Sequence, residues 1–469
     1  MAIGMVGHVM VLVMVLIQIL SVDAQGGWQL LQKNAGISCM HAAVTHFDTV
    51  IMLDRTNTGP SQIKLAGACR NQPLERMLKN DCWAHSSMLN PGNGAVRPLR
   101  VETDTWCSSG QFFDNGVLVQ TGGDFEGNKK IRTLAPCGAG GNCDWKELAE
   151  PLAWGRWYAS NQLLPSRIRQ IIVGGRSEGT YEFYPKRKAG EGAFPLAVVA
   201  GGADNLYPFV FLLPNGTYRA SRTNAVGAPA SKRCGRIVAA AGNAGWAMED
   251  MPMGRTMGDM LNLPNGEVLN INGAGNGFQG WGKAGNPVLS PVNYNPNAAA
   301  GKRFAVLAKT GIPRMYHSTA SILADGRIIV AGSNTHHFYT FTGAFPTELR
   351  VEAFSPPYLG ANFNAVRPVI TGASGVIKYN QVFTMTFNVA TRVGGVTVFQ
   401  NSAPFTTHSY SQGQRSLQLK TTVLVKVGGG CSMQVTACPG NNIAPPAYYI
   451  VHCVQNGIPS RGKWVKQNN

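Results

Sequence analysis

Past residue 25 the chain repeats one arrangement of apolar and polar positions. A short apolar stretch meets a polar turn, and a second apolar stretch then runs towards glycine. Phe113-Asp114-Asn115-Gly116 leads into Val117-Leu118-Val119-Gln120-Thr121-Gly122-Gly123. Leu164-Pro165-Ser166-Arg167 leads, without a turn glycine, to Ile171-Ile172-Val173-Gly174-Gly175. Leu213-Pro214-Asn215-Gly216 repeats the turn. Leu263-Pro264-Asn265-Gly266 opens onto Glu267-Val268-Leu269-Asn270-Ile271-Asn272-Gly273, and Ala324-Asp325-Gly326-Arg327 onto Ile328-Ile329-Val330-Ala331-Gly332. Asn-Gly or Asp-Gly between apolar runs is a hairpin signal. The turns recur about every 50 residues, the spacing of kelch-type blades, so the expected architecture over 25–360 is an all-β, kelch-type β-propeller. Gly-Gly pairs let inner strands crowd the central channel, and Thr49-Val50-Ile51-Met52-Leu53 begins the ring.

The repeat stops at Phe354-Ser355-Pro356-Pro357-Tyr358, and Arg367-Pro368 marks a boundary. Beyond it the pattern is alternation: Val382 to Phe387, Val396 to Phe399, Leu417 to Leu419 and Tyr448 to Val451. Short alternating strands over 361–469 predict an Ig-like β-sandwich.

Composition adds a compartment. Residues 1–24 carry an apolar run from Val9 to Leu20, with no Lys or Arg before it, and a small-residue pattern at Val22-Asp23-Ala24. The expectation is a secretory signal peptide that leaves no membrane anchor, and no later segment is apolar enough to span a bilayer. Asn215-Gly216-Thr217 is an N-glycosylation sequon. The ten cysteines then belong to an oxidising compartment. Short spacing pairs Cys69 with Cys82, Cys137 with Cys143 and Cys431 with Cys438, leaving Cys39, Cys107, Cys234 and Cys453. There is no CxxC, so structural zinc is not expected. The formal net charge is +17. That is a solvated basic surface or affinity for an acidic wall polysaccharide. No long Lys/Arg run or nucleic-acid module is present, so nucleic acid is not expected as a partner.

The candidate chemistry lies in scattered motifs. Tyr316 and His317 are adjacent in Pro313-Arg314-Met315-Tyr316-His317-Ser318. Upstream are Trp106-Cys107-Ser108-Ser109-Gly110 and Arg156-Trp157-Tyr158; downstream is Thr407-His408-Ser409. Two imidazoles and two phenolates suit Cu(II). Taken singly, Tyr158 reads as a core aromatic, Cys107 as half of a disulfide and His408 as a satisfied polar group. His336-His337 resembles a metal pair, but strand neighbours face opposite ways, so it reads as structural. His41, His46 and His85 have no supporting motif.

Together, in this order, the motifs resemble the copper-radical oxidases, the galactose oxidase and glyoxal oxidase family, and most closely its plant glyoxal oxidase-like branch. Asp104 to Gly110, Gly155 to Tyr158, Trp246-Ala247-Met248-Glu249-Asp250-Met251-Pro252, Pro313 to Ser318, Ala403 to Ser409 and Gly413-Gln414-Arg415 carry the resemblance. It implies copper held by Tyr158, Tyr316, His317 and His408, with a Cys107–Tyr158 thioether carrying a radical and Tyr316 acting as base. The implied reaction takes a small aldehyde and O2 to a carboxylic acid and H2O2. A primary-alcohol oxidase, a polysaccharide-binding propeller and an inactive, blade-deficient member are the rival readings. Two departures stand out. Where galactose oxidases carry a Trp over the cross-linked ring, this chain has Arg176-Ser177-Glu178. Near Thr223 to Cys234 it is shorter than the seven-bladed family pattern, which predicts a six-bladed or locally broken ring.

Overall fold

The computed structural model describes residues 25–166, 168–197, 204–212, 228–238, 245–389, 395–422, 424–427 and 430–468. The leader, the sequon, the turn at 213–216 and residues 223–227 of the short segment lie outside the described residues.

The described chain is built of antiparallel strands, except that Val376–Lys378 runs parallel to Lys463–Asn468. Five sheets carry the repeat, four of them four-stranded and one widened to six strands by a hairpin from further along the chain. One holds His41–Val44, Val50–Leu53, Ser86–Leu89 and Val96–Leu99. The next holds Ser109–Phe112, Leu118–Thr121, Ile131–Leu134 and Lys146–Glu147, and a third Ser160–Leu163, Gln170–Val173, Thr180–Tyr184 and Phe194–Pro195. A fourth runs Asp259–Asn262, Val268–Ile271, Val292–Tyr294 and Phe304–Val306. The last is closed by the N-terminus: Gly27–Gln32 pairs with Val351–Ser355, beside Ile328–Gly332 and Ser318–Ile322. First and last strands sharing one sheet close the ring without an exposed edge at that seam.

The sequence pattern explains the hairpins. In three of these sheets the first two strands meet at the same turn. The N–H groups of Gly116, Gly266 and Gly326 donate to the carbonyls of Phe113, Leu263 and Leu323. Each glycine sits at positive φ, between 82° and 91°, which an L side chain adopts only with strain. Between Pro195 and Asp259 the described residues hold only two-stranded pieces, Gly175–Arg176 with Asp204–Asn205 and Arg233–Arg236 with Ala247–Asp250.

From Val369 onward the strands form two halves, joined by hydrogen bonding through Ser416–Thr421, that enclose a core of Phe383, Met385, Phe387, Val398, Met433, Val435, Tyr449 and Val451. This is the expected sandwich, with one departure that matters for the site. A hairpin of Phe405–Thr407 and Tyr410–Gln412 leaves the sandwich and pairs with His41–Val44, the inner strand of a propeller sheet. It also touches the inner strands at Ser109–Phe112, Ser160–Leu163, Asp259–Asn262 and Ser318–Ile322, so it fills the channel.

The inner strands are rich in Ser, Thr, Asn and Gln because they meet this polar hairpin. The N–H of Asn161 donates to Gln412 Oε1 at 2.8 Å, and that of Asn262 to Gln414 Oε1 at 2.7 Å. Ser321 Oγ lies 3.1 Å from Thr406 Oγ1. Fully buried Phe405 supplies the apolar part of the plug.

Cys69–Cys82 and Cys137–Cys143 are disulfides. The expected Cys431–Cys438 bond is absent, and both thiols are free. Cys431 begins the strand Gly430–Thr436 and Cys438 lies beyond its end. At about 3.3 Å per residue an extended segment keeps them roughly 20 Å apart, far outside disulfide reach. Cys431 instead shares the sandwich core with Cys453.

Candidate metal centre

Three of the predicted residues leave their sheets at one place, just ahead of the innermost strand. Cys107 precedes Ser109–Phe112, Tyr158 precedes Ser160–Leu163 and His317 precedes Ser318–Ile322. Each turns the chain at positive φ, 52°, 66° and 61° respectively. Non-glycine residues there carry strain, which gathers at functional sites.

Buried arginines clamp these turns. Arg156 binds Glu182 Oε1 at 2.8 Å and the Gly174 carbonyl at 2.9 Å. Arg314 does the same with Glu352 Oε2 and the Gly332 carbonyl, both at 2.9 Å. Arg132 holds the Cys107 turn through the Asp104 and Gly122 carbonyls at 2.9 and 2.7 Å. A Cβ on Gly122 or Gly123 would overlap the carbonyl of Arg156 or Asp104. The Gly-Gly pair is therefore needed to bring the Cys107 and Tyr158 turns together.

The fourth piece arrives on the plug. Thr407 and Tyr410 are paired, which makes His408-Ser409 a two-residue hairpin turn. Both residues have positive φ, 47° and 66°, as a type I′ turn requires. Asn-Gly is the easy sequence for that turn, and here an imidazole occupies it.

The side chains converge. The Tyr158 and Tyr316 hydroxyls are 3.1 Å apart. His408 Nε2 lies 3.2 Å from Cys107 Sγ. One nitrogen from each of His317 and His408, and the Cys107 sulfur, lie within 4.8 Å of one another. Both ring nitrogens of buried His317 lack a hydrogen-bond partner, a costly state unless a ligand fills it.

Burial pushes the pKa of Tyr158, Tyr316 and Cys107 up and those of His317 and His408 down. The pocket therefore holds its donors neutral until a cation enters. A divalent ion with two tyrosinates and two neutral imidazoles is electrically balanced, and the N2O2 set suits Cu(II).

His41, which no motif marked, stands behind His408. Its Nε2 lies 3.0 Å from the Thr105 carbonyl, which can only accept, so Nε2 carries the proton. Burial lowers its pKa to about 3, so the ring is neutral and Nδ1 is bare. Thr407 Oγ1 lies 2.7 Å from that Nδ1 and donates to it. The same oxygen, 2.6 Å from His408 Nδ1, then accepts the His408 N–H. The chain of bonds leaves His408 Nε2 with a free lone pair facing the centre.

The chain matches the glyoxal oxidase N-terminus model over residues 40–220 and 216–358, and the galactose oxidase-like early set domain over 367–467. The chain belongs to the glyoxal oxidase family. The two pieces of the first match meet at 216–220, beside the segment where this glyoxal oxidase-family chain reads short. It is 43% identical to an aldehyde oxidase GLOX of Vitis pseudoreticulata, over 95% of this chain and 97% of that one. It is 36% identical to an aldehyde oxidase GLOX1 of Arabidopsis thaliana, over 94% and 84%. Among solved structures, a fungal alcohol oxidase of the AA5 family, in complex with copper, superposes with a TM-score of 0.71 at 18% identity, over 95% of this chain and all of that one. That likeness is one of fold.

Other family-like motifs lie away from the centre. Trp246 is exposed and Ala247–Asp250 pairs with Arg233–Arg236. Gly413-Gln414-Arg415 anchors the plug: Gln414 Nε2 donates to the Met260 carbonyl at 2.9 Å and Arg415 to that of Leu212 at 2.7 Å. His336 Nε2 donates to backbone carbonyls at Ala344 and Phe345, a structural use. His85 joins Asp81 at 2.8 Å, and His46 stacks on Tyr448. Where galactose oxidases carry Trp, Arg176 lies with its guanidinium 4.9 Å from the Trp157 ring centroid. Tyr207, also unmarked by any motif, meets Tyr158 edge-on at 5.3 Å and donates its hydroxyl to the Ser108 carbonyl.

Proposed function

We propose that this chain is a secreted copper-radical oxidase that converts small aldehydes of the glyoxal and methylglyoxal type, as their hydrates, to carboxylic acids while O2 is reduced to H2O2. The observation that carries this reading is the contact of buried Tyr316 with partly buried Tyr158, their hydroxyls 3.1 Å apart, beside two imidazoles and a thiol, in a chain of the glyoxal oxidase family. Copper, when bound, and the Cys107–Tyr158 thioether supply the two one-electron acceptors that a two-electron oxidation needs.

The chain's own residues do the rest. Tyr158, Tyr316, His317 and His408 would hold the metal. The Tyr316 oxygen accepts the proton of the hydrate O–H, and the Tyr158 oxygen accepts the hydrogen leaving carbon. Their closeness supports delivery of both to one substrate carbon. Burial of His317, His408 and Cys107 keeps bulk water from the radical.

The test is peroxide release by copper-loaded, oxidised protein across aldehydes and alcohols. Glyoxal and methylglyoxal should outrun galactose and primary alcohols. A preference for the alcohols overturns the reading. Secretion is supported by the apolar leader and by the two disulfides. Mature protein recovered from the medium should begin near Gln25; retention inside the cell argues against it. The charge of +17 supports attachment to acidic wall polysaccharide, and salt-sensitive retention on pectin checks it.

A further inference from the structure

Arg55 is completely buried, yet its Nε, Nη1 and Nη2 atoms have no hydrogen-bond partner. Asp54 does not serve it as a side-chain partner. That carboxylate accepts the backbone N–H of Arg55 at 2.8 Å and the Tyr339 hydroxyl at 2.5 Å. The guanidinium rests on aromatic faces alone, 4.9 Å from the centroid of Trp106 and 4.9 Å from that of Trp281. The two indoles are stacked, 5.2 Å apart. Cation–π contacts are worth much less than the cost of taking a guanidinium out of water. A buried cation left this way asks for an acceptor.

The surroundings say where that acceptor would sit. The indole N–H groups of Trp106, Trp157 and Trp281 are also buried without partners. Trp106 precedes Cys107, and Trp157 precedes Tyr158. Trp281 packs both in the cluster with Trp106, Cys107 and Tyr158 and in the cluster with Met315 and Tyr316. The charge of Arg55 is felt at Cys107, Tyr316 and His317. Trp281 meets exposed His337 at 4.3 Å, so the cluster reaches the surface. Beside the centre lies a set of unfilled donors with a full positive charge. Its complement is a group that only accepts: a carboxylate or a carbonyl oxygen.

We propose that Arg55, backed by Trp106 and Trp281, is the specificity-determining residue that seats an oxygen function on the carbon next to the reacting aldehyde. This rests on the aldehyde-oxidase reading above. It ranks aldehydes that carry a neighbouring carboxylate or carbonyl over plain alkanals of equal size. The planar fork of arginine meets both oxygens of a carboxylate, which lysine cannot copy.

The test compares glyoxylate with propanal on copper-loaded wild type, Arg55→Met and Arg55→Lys. The ratio of kcat/KM for glyoxylate to that for propanal should fall about 100-fold in Arg55→Met, with most of the change in KM. Arg55→Lys should lie between. An unchanged ratio in either variant overturns the proposal, and Arg55→Lys decides alone where Arg55→Met does not fold. A second readout needs neither metal nor turnover. Oxalate added to copper-free wild type should change tryptophan fluorescence saturably, and the change should be lost in Arg55→Met. No saturable change in wild type overturns the proposal. Wild type that oxidises no aldehyde sinks the function reading instead, and the oxalate titration still decides Arg55.

Discussion

The backbone N–H of Tyr158 donates to the carbonyl of Cys107 at 2.9 Å. The thiol and the phenol that the thioether joins are thus tied to each other across neighbouring sheets before any covalent bond forms. Copper and O2 should complete the link. After full reduction and alkylation, matured protein should carry label on every cysteine except Cys107. Label on Cys107 in active, copper-loaded protein would rule out the radical centre.

Tyr316→Phe removes one hydroxyl from a pocket that keeps both imidazoles and Tyr158. The variant should retain much of its copper. Turnover should fall roughly 10²- to 10⁴-fold, the usual weight of a positioned acid–base group. Steady-state peroxide release measures it, and undiminished turnover refutes Tyr316 as the base. His408→Ala, by contrast, should lose copper on dialysis.

Thr407 is buried between His41 and His408, and its hydroxyl sets which nitrogen of His408 is bare. Thr407→Val keeps the shape and removes that hydroxyl. Copper affinity should drop roughly 10- to 100-fold, as for other residues that orient a metal ligand. Thr407→Ser should restore it. Equal copper affinity in the Val and Ser variants would sink the relay.

Phe405 is fully buried in the plug, against His41 at 5.5 Å between ring centroids. Phe405→Ala should destabilise the protein by about 3–5 kcal/mol. Denaturant unfolding measures the loss. Copper retention should suffer with it, because the same hairpin carries His408. Retention equal to wild type would show that the hairpin's seat does not depend on Phe405.

His452, remote from the centre, gives a pH signature. Burial lowers its pKa from 6.5 to about 4, despite its bond to the Ser460 carbonyl. The folded value lies below the unfolded one, so its contribution is present above pH 6.5 and is lost as pH falls towards 4. The slope is up to about 1.4 kcal/mol per pH unit in that window. His452→Gln should flatten the acid limb of the stability curve. An unaltered limb assigns the acid loss elsewhere.

The hairpins were legible because turn chemistry is local: Asn115-Gly116 and Asp325-Gly326 announce themselves in four residues. The five residues that the fold brings together were legible as candidates only as a set, since each motif alone reads as an ordinary core position. His41, Arg55 and Trp281 were not legible. Each is a lone residue whose meaning comes from a neighbour far along the chain, such as Thr407 for His41. Cys431 and Cys438 are close in sequence but not in space, because a strand pulls them apart. The plug at Phe405–Gln412 was missed for a related reason. Its strands are three residues each, polar and without alternation, because they are buried in a channel and not at a solvent boundary.

His408 comes from a hairpin that is synthesised after every strand of the propeller sheets. A nascent chain with its ring already folded owns the thiol, both phenols and His317, but it lacks the second imidazole and the hydroxyl that orients it. On the proposed ligand set such a chain would be oxidatively silent. Docking the hairpin would then be the arming step, tying the first peroxide-forming event to arrival of the C-terminal sandwich. Maturation would have a built-in order, fold first and oxidise second, which would spare the unfinished chain from its own chemistry.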